Sequence, residues 1–276
     1  MKTVSKRGYL NENYRLFHST DRRDADFETH SHDFHKIVLC LNGRVTYIVE
    51  GITYFLRPWD LLIIPQQQIH RSIMHSTETY ERMVLWIKDE YLRSFGESAL
   101  TDVFLWPLQQ RCGLFRPDAR SRSLLIDRLK ALKESWNADY SGHSLMADTY
   151  LLQFLLELGQ RLQSASRADE SAVRADPQMT KLLAFINENL SEDLSIERLA
   201  GAFFLSPSRL MHRFREHAGC TVHQYVMQKR LTLSAGLISQ GESVTHAAQQ
   251  AGFSDYSSFL RAFRRQYGCL PSEMKK

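Results

Sequence analysis

Between residues 8 and 90, short apolar runs alternate with turn residues. Ile37–Leu41, Val45–Glu50, Ile52–Leu56, Leu61–Ile64 and Met83–Ile87 are rich in β-branched and aromatic side chains and read as strands. Asn42-Gly43, Gly51 and Pro58 separate them, and Asn-Gly is a strong hairpin signal. Many short strands at this spacing predict a sandwich or a barrel.

The period changes at about residue 118. Leu124, Leu125, Leu129 and Leu132, then Leu145, Leu152, Leu155, Leu156 and Leu162, recur at helical steps up to residue 163, which predicts an antiparallel helix pair. Two readings stay open: both helices pack on the sheet, or a surplus apolar stripe joins two chains. A homodimer through this pair is the expectation. Residues 164–176, SASRADESAVRAD, are small and charged without an apolar period and read as an exposed linker.

From Pro177 onward the pattern is helical nearly throughout. Leu182, Leu183, Phe185, Ile186 and Leu190 mark a first amphipathic helix. Ser195 can cap a second, carrying Leu199, Ala200 and Phe203. After a turn at Phe204-Leu205, Ser206-Pro207 opens the helix Pro207–His217, a capping serine followed by proline at the first helical position. The unit recurs with Val244, Ala247, Ala248 and Ala251, a turn at Gly252–Asp255, and a helix Tyr256–Tyr267. The skeletons Ser206-x3-Leu210-x-His212-x-Phe214 and Asp255-x3-Phe259-x-Arg261-x-Phe263 superpose at a shift of 49 residues. Each unit is a helix-turn-helix with polar and basic residues on the outer faces of its second helix. Val222–Ser239 between them reads as one helix of 18 residues, roughly 27 Å long. That length can place two reading helices about one DNA turn apart, ~34 Å.

Charge sharpens this picture. The chain has 276 residues with 35 Lys+Arg and 31 Asp+Glu, and the last hundred residues hold 12 and 8 of these, which is the whole excess. A length of 276 residues favours two domains. No apolar run is long enough to span a membrane. The N-terminal stretch lacks the apolar segment of a secretory signal, so a cytoplasmic location is expected. Cys40, Cys112, Cys220 and Cys269 are far apart and show no CxxC, which argues against a disulfide scaffold or a cysteine zinc site.

Residues 180–274 resemble the DNA-binding domain of AraC/XylS-type bacterial transcription regulators. The resemblance rests on Leu199-Ala200, Ser206-x3-Leu210-x3-Phe214, Gly219, Tyr225, Arg230-Leu231, Ala247-x3-Ala251-Gly252-Phe253, Phe259-x3-Phe263, Gly268 and Pro271-Ser272. It implies promoter DNA and RNA polymerase as partners. The expected DNA contacts are Ser208, Arg209, Met211, His212 and Arg213 in the first unit, and Tyr256, Ser257, Arg261, Arg264 and Arg265 in the second. Arg261 suits bidentate contact with guanine, and Arg264 and Arg265 suit phosphates. The first unit departs from the pattern. Phe204 stands where the second turn has Gly252, His212 where the family most often has arginine, and Met211 is apolar.

His30-Ser31-His32, His35 and His70 raise the question of a metal, since His-x-His with a later histidine is ligand spacing. His30, His32, Gly43, Asp60, Pro65 and His70 also make residues 27–75 resemble a cupin, the effector domain that often precedes this DNA-binding domain. In the cupin pattern a carboxylate ligand follows four residues after the second histidine. Here that residue is Lys36, whose ammonium repels a cation. The expectation is therefore a pocket for a small organic effector, lined by His30, His32, Lys36, His70 and Trp86, with no metal and no cofactor. Arg44, Arg57 and Trp59 are further candidates for an anionic or polyhydroxylated ligand. The resemblance to sugar-utilisation regulators implies a carbohydrate.

The expected chain is thus α+β with two domains. Residues 1–163 form a cupin-like β-barrel with a helical pair at 118–163, residues 164–176 a linker, and residues 177–276 an all-α domain with two helix-turn-helix units joined by a long helix. Its expected function is a ligand-responsive, DNA-binding activator and not an enzyme. The alternatives are a metal-dependent cupin enzyme with an appended helical domain, a regulator of stress or virulence genes, and an adaptor whose basic helices bind an acidic partner.

Overall fold

The structure is a computed structural model that describes residues 10–22, 25–26, 29–74, 79–165 and 172–274. The N-terminal strands are β1 (Tyr14–Asp21), β2 (Ala25–Asp26), β3 (His35–Asn42), β4 (Val45–Val49), β5 (Ile52–Leu56), β6 (Leu61–Ile64), β7 (His70–Met74) and β8 (Tyr80–Ile87). Helices α1 (Asp89–Arg93) and α2 (Ala99–Gln110), strand β9 (Leu114–Phe115), and helices α3 (Ala119–Trp136) and α4 (His143–Gln163) follow. Two five-stranded sheets run in the orders β1-β8-β3-β6-β9 and β10-β5-β4-β7-β2, where β10 is Val173–Arg174.

Alternation along β3 explains why its apolar run is continuous. Val38 and Cys40 face the barrel interior with Val45, Tyr47, Tyr54, Leu62 and Val84. Ile37 and Leu39 face the other way and pack with Leu61, Ile63, Leu85 and the helices, against Phe104, Leu129, Leu132, Leu151 and Leu155. Both faces are covered, so neither needs polar residues. Each such leucine contributes roughly 1.5–3 kcal/mol by leaving water.

Several expectations change. Asn42-Gly43 does not close a hairpin: β3 pairs with β6 and β8 while β4 pairs with β5 and β7, so this turn links the two sheets. The tight hairpin is β4–β5, where Val49 pairs with Ile52 across Glu50 (φ 47°) and Gly51 (φ 76°). Two positive φ values in a two-residue loop match the twist of the flanking strands. Strands β1 and β7 and helices α1 and α2 are additions to the expected elements. The helix pair α3–α4 packs on the sheet, and it leaves Leu145 (70% exposed) and Leu156 on the surface. Within the expected linker, Val173 and Arg174 instead pair with Tyr54 and Thr53 of β5; residues 166–171 lie outside the described residues.

The C-terminal helices are α5 (Pro177–Glu188), α6 (Ile196–Ala202), α7 (Pro207–Ala218), α8 (Val222–Ser239), α9 (Val244–Gln250) and α10 (Tyr256–Tyr267), followed by a 3-10 turn at Pro271–Met274. They build two cores. Leu199, Leu210, Phe214, Val222, Tyr225 and Val226 belong to the first, and Leu231, Ala235, Ile238, Ala247, Phe259 and Phe263 to the second. Helix α8 serves both, so it is apolar on different sides along its length. Leu233, expected inside, is exposed, while Thr232 and Ser234 are buried.

The barrel rests against the first of these cores. Glu50 accepts hydrogen bonds from the Lys229 ammonium (2.6 Å), the Ile69 amide (2.7 Å) and the Tyr225 hydroxyl. Gln228 donates to Ser31 Oγ at 2.9 Å and Thr29 to the Gly219 carbonyl at 3.0 Å. Leu183 of α5 lies against Gly51, where a Cβ would come within 2.3 Å of its Cδ1.

Candidate nucleic-acid interface and effector site

Both helix-turn-helix units are built by the same local chemistry. Ser195 caps α6 and Ser206 caps α7, each accepting from an amide three residues on; Ser243 and Asp255 do the same for α9 and α10. In the turns, Leu205 N donates to Ala200 O at 2.9 Å and Phe253 N to Ala248 O at 3.0 Å. The preceding residues, Phe204 and Gly252, have φ of 55° and 88°. Phe204 thus takes the left-handed position that Gly252 takes in the second turn, and its side chain is 95% exposed. The turns align at a shift of 48 and the second helices at 49, because the second turn holds one more residue.

Leu210 and Phe214 anchor α7, and Phe259 and Phe263 anchor α10. Ser208, Arg209, Met211 and His212 on α7 are exposed, as are Tyr256, Ser257, Arg261, Arg264 and Arg265 on α10. Arg261 Nη2 bonds Ser258 Oγ at 3.0 Å one turn back. Arg213 departs from its expected role. Its guanidinium is half-buried and hydrogen-bonds Asp176 and Gln178 at the start of α5. Burial alone would raise the Asp176 pKa, but bonds from Arg213 and the Met179 and Gln178 amides hold it below the usual carboxylate range. Arg213 thus ties α7 to α5. Arg215 is also exposed, one turn after Met211 on the same side of α7.

The barrel-interior candidates also gather. His30, His32 and His70 offer ring nitrogens that all lie within 4.8 Å of one another. His30 and His70 face each other across paired backbones. His32 Nδ1 bonds the Phe34 carbonyl (2.8 Å) and His70 Nδ1 the Gln68 carbonyl (2.9 Å). A carbonyl accepts only, so both Nδ1 atoms carry hydrogen and both Nε2 atoms present lone pairs. Lys36 Nζ lies 3.3 Å from His70 Nε2 and 5.7 Å from the centre of the Tyr47 ring. Trp86 pairs with Lys36 in register on β8, on the same face. His32 Nε2 and Trp86 Nε1 are buried with no hydrogen-bond partner.

Burial, and then the Arg82 charge, push the Lys36 amine down to about 7. Burial first and Lys36 second hold His32 and His70 well below the usual histidine range. The three imidazoles alone could surround a divalent ion. The fourth corner does not fit one, because Lys36 donates into the His70 Nε2 lone pair that a metal needs. Arg44 and Arg57 stand apart from this cluster, along a separate cleft with Arg116. Trp59 likewise packs under Arg122, at 5.3 Å.

Comparison with known proteins agrees with this architecture. Residues 14–155 match the AraC-like ligand binding domain, and residues 199–276 a helix-turn-helix domain. The probable transcriptional regulator LumQ of Photobacterium leiognathi is 30% identical over 253 residues, covering 88% of this chain and 90% of its own. The HTH-type transcriptional activator RhaS of Escherichia fergusonii is 26% identical over 254 residues, covering 91% and 88%. Among solved structures, an apo point variant of ToxT from Vibrio cholerae is 16% identical with a TM-score of 0.43, covering 95% of this chain and 97% of that one. With its ligand-binding barrel joined to paired helix-turn-helix units, the chain belongs to the AraC family of transcription regulators.

Proposed function

We propose that this regulator is an activator that changes its grip on promoter DNA when a small organic effector enters the barrel. The observation that carries the reading is the pair of second helices, α7 and α10, standing on one continuous scaffold, α8, with Arg209, Arg261, Arg264 and Arg265 exposed. Arg261 reads a base edge, and Arg264 and Arg265 hold phosphates. In the barrel, His30, His32, Lys36, His70 and Trp86 form the effector site. The buried lone pair of His32 and the buried N–H of Trp86 await an organic ligand with hydroxyl or carbonyl groups, a carbohydrate among them.

The chain acts as a homodimer through α3 and α4, where Leu145 and Leu156 stay exposed, and presents four reading helices beside RNA polymerase. It works in the cytoplasm and performs no catalysis. Among the described residues no helix is long and apolar enough to cross a membrane. The test is binding of the full chain to promoter fragments at physiological salt, with and without compounds that raise its melting temperature, alongside sedimentation. Specific binding by a dimer, altered by a stabilising compound, is expected. Equal affinity for promoter and random duplexes overturns the regulatory reading.

A further inference from the structure

The barrel interior contains a primary amine in a setting that hydrogen bonding to a ligand does not by itself explain. Lys36 extends from β3 into the core, in register with Trp86. Desolvation dominates the surroundings of its amine, while part of the residue stays accessible. Its hydrogen-bond partner is not a carboxylate but the bare Nε2 of His70, at 3.3 Å. Arg82, Tyr47, His32 and His70 lie around it. A buried lysine held by an imidazole rather than a counter-ion, beside cationic and neutral groups, is in the environment that turns an ammonium into a nucleophilic amine.

We propose that Lys36 captures a small α-hydroxy aldehyde or ketone as an imine, with His70 Nε2 moving the proton. This deepens the effector reading above and rests on it. The Nζ lone pair forms a bond to the carbonyl carbon, and the C=O π pair moves to oxygen. The proton leaving Nζ passes to His70 Nε2 and on to that oxygen, which gives a carbinolamine. The second Nζ proton then passes by the same route, to His70 Nε2 and on to the hydroxyl, which departs as water while the nitrogen pair forms the C=N bond, leaving a neutral imine and His70 unchanged. No oxidant or reductant is required.

The two orphaned atoms fit such a ligand. Trp86 Nε1 is a buried donor for the carbonyl oxygen, and His32 Nε2 is a buried acceptor for a neighbouring hydroxyl. His32 and Trp86 flank the same region, with ring centres 6.4 Å apart. An amine, an acceptor and a donor around one space match a carbon chain that carries a carbonyl next to a hydroxyl. A carboxylate would leave the His32 lone pair facing negative charge.

The test uses the full-length protein, D-glyceraldehyde as probe and cyanoborohydride at neutral pH, with modified lysines located by peptide mass spectrometry. Glycerol is the control. Reduction of an imine leaves a stable secondary amine on the lysine that formed it. Lys36 is expected to be labelled at least tenfold faster than the surface lysines. His70→Gln should slow that labelling several-fold. Labelling that follows surface exposure, with Lys36 no faster than Lys130 or Lys181, overturns the proposal. A melting-temperature rise with glycerol equal to that with glyceraldehyde, without labelling of Lys36, overturns imine capture while leaving the effector site intact. Because the wild-type chain is mapped directly, no substitution at Lys36 is needed.

Discussion

Lys229 Nζ stands 2.6 Å from Glu50 Oε1, and this pair joins helix α8 to the β4–β5 hairpin. Both side chains are about 15% exposed. The other oxygen of Glu50 accepts from Tyr225, whose ring lies fully inside the first helix-turn-helix core. One carboxylate therefore touches the hairpin of the effector domain and the scaffold of the DNA-binding domain. The hairpin places it there through two left-handed residues, Glu50 and Gly51.

Glu50→Gln should lower stability by about 1–3 kcal/mol, because Lys229 loses a charged partner at a half-buried site. Combined with Lys229→Met, the two changes should couple by about 0.5–3 kcal/mol in a double-mutant cycle. Urea unfolding of the four proteins measures this. Strictly additive effects would show that the contact does not join the domains in solution.

The two turns make opposite predictions for substitution. Phe204 holds φ 55° with its side chain almost wholly in water, so it bears left-handed strain without packing in return. Phe204→Gly should stabilise the chain by about 0.5–1 kcal/mol, the relief of strain offsetting glycine's greater freedom when unfolded. Gly252→Ala should destabilise by about 2 kcal/mol or more, since a Cβ there would meet the Leu190 carbonyl oxygen at 2.2 Å as well as adopt a positive φ. Thermal melts of the two variants should move in opposite directions.

Burying Lys36 makes stability depend on pH. The amine titrates near 7 in the folded chain and near 10.5 otherwise. Between those values the unfolded chain holds the extra proton, so stability rises with pH. The slope from this group is at most about 1.4 kcal/mol per pH unit, and smaller where residual water screens the amine. His32 and His70, also held low, act in the same direction below pH 6.5. Lys36→Met should be more stable than wild type at pH 7, and the gap should close toward pH 10. A gap independent of pH would contradict the burial of the amine.

The second domain was far more legible in the sequence than the first. Its helices carry capping residues, and α8 runs from Val222 to Ser239 as expected because Thr221 and Gln224 form a capping box at its start. Even the correspondence of Phe204 with Gly252 in the two turns was legible. The misread features depend on contacts between distant residues. Asn42-Gly43 carries a hairpin signal, yet partner choice sends β3 and β4 into different sheets. Strand β1 pairs only along β8 at a sheet edge, and its residues YRLFHSTD are mostly polar or half-buried. The tie between Arg213 and Asp176 spans 37 residues, and no local period reveals it. The His30–His32–His70 cluster was legible as spacing, but the direct contact of Lys36 with His70 was not.

The last prediction separates two arginines that look alike in sequence. Arg213 and Arg261 both lie on the second helix of a unit, among polar neighbours. Arg213 is tied to Asp176 and Gln178 and is half-buried, whereas Arg261 is exposed and its polar partners among the described residues are Ser258 and the capping Asp255 of its own helix. Arg261→Ala should leave the melting temperature nearly unchanged. It should weaken specific binding by about 1–3 kcal/mol and relax preference at one or two base pairs. Arg213→Ala should do the reverse. It removes a charge-assisted pair that joins α7 to α5, costing about 1–3 kcal/mol of stability, while the base preference of the protein that remains folded stays as in wild type. Arg264→Ala and Arg265→Ala give the third pattern, weaker binding on every sequence and a salt slope lower by about one. Selection from a randomised operator, run beside thermal melts for each variant, distinguishes the three. A changed base preference in Arg213→Ala, or an unchanged one in Arg261→Ala, would reverse the assignment made from their contacts.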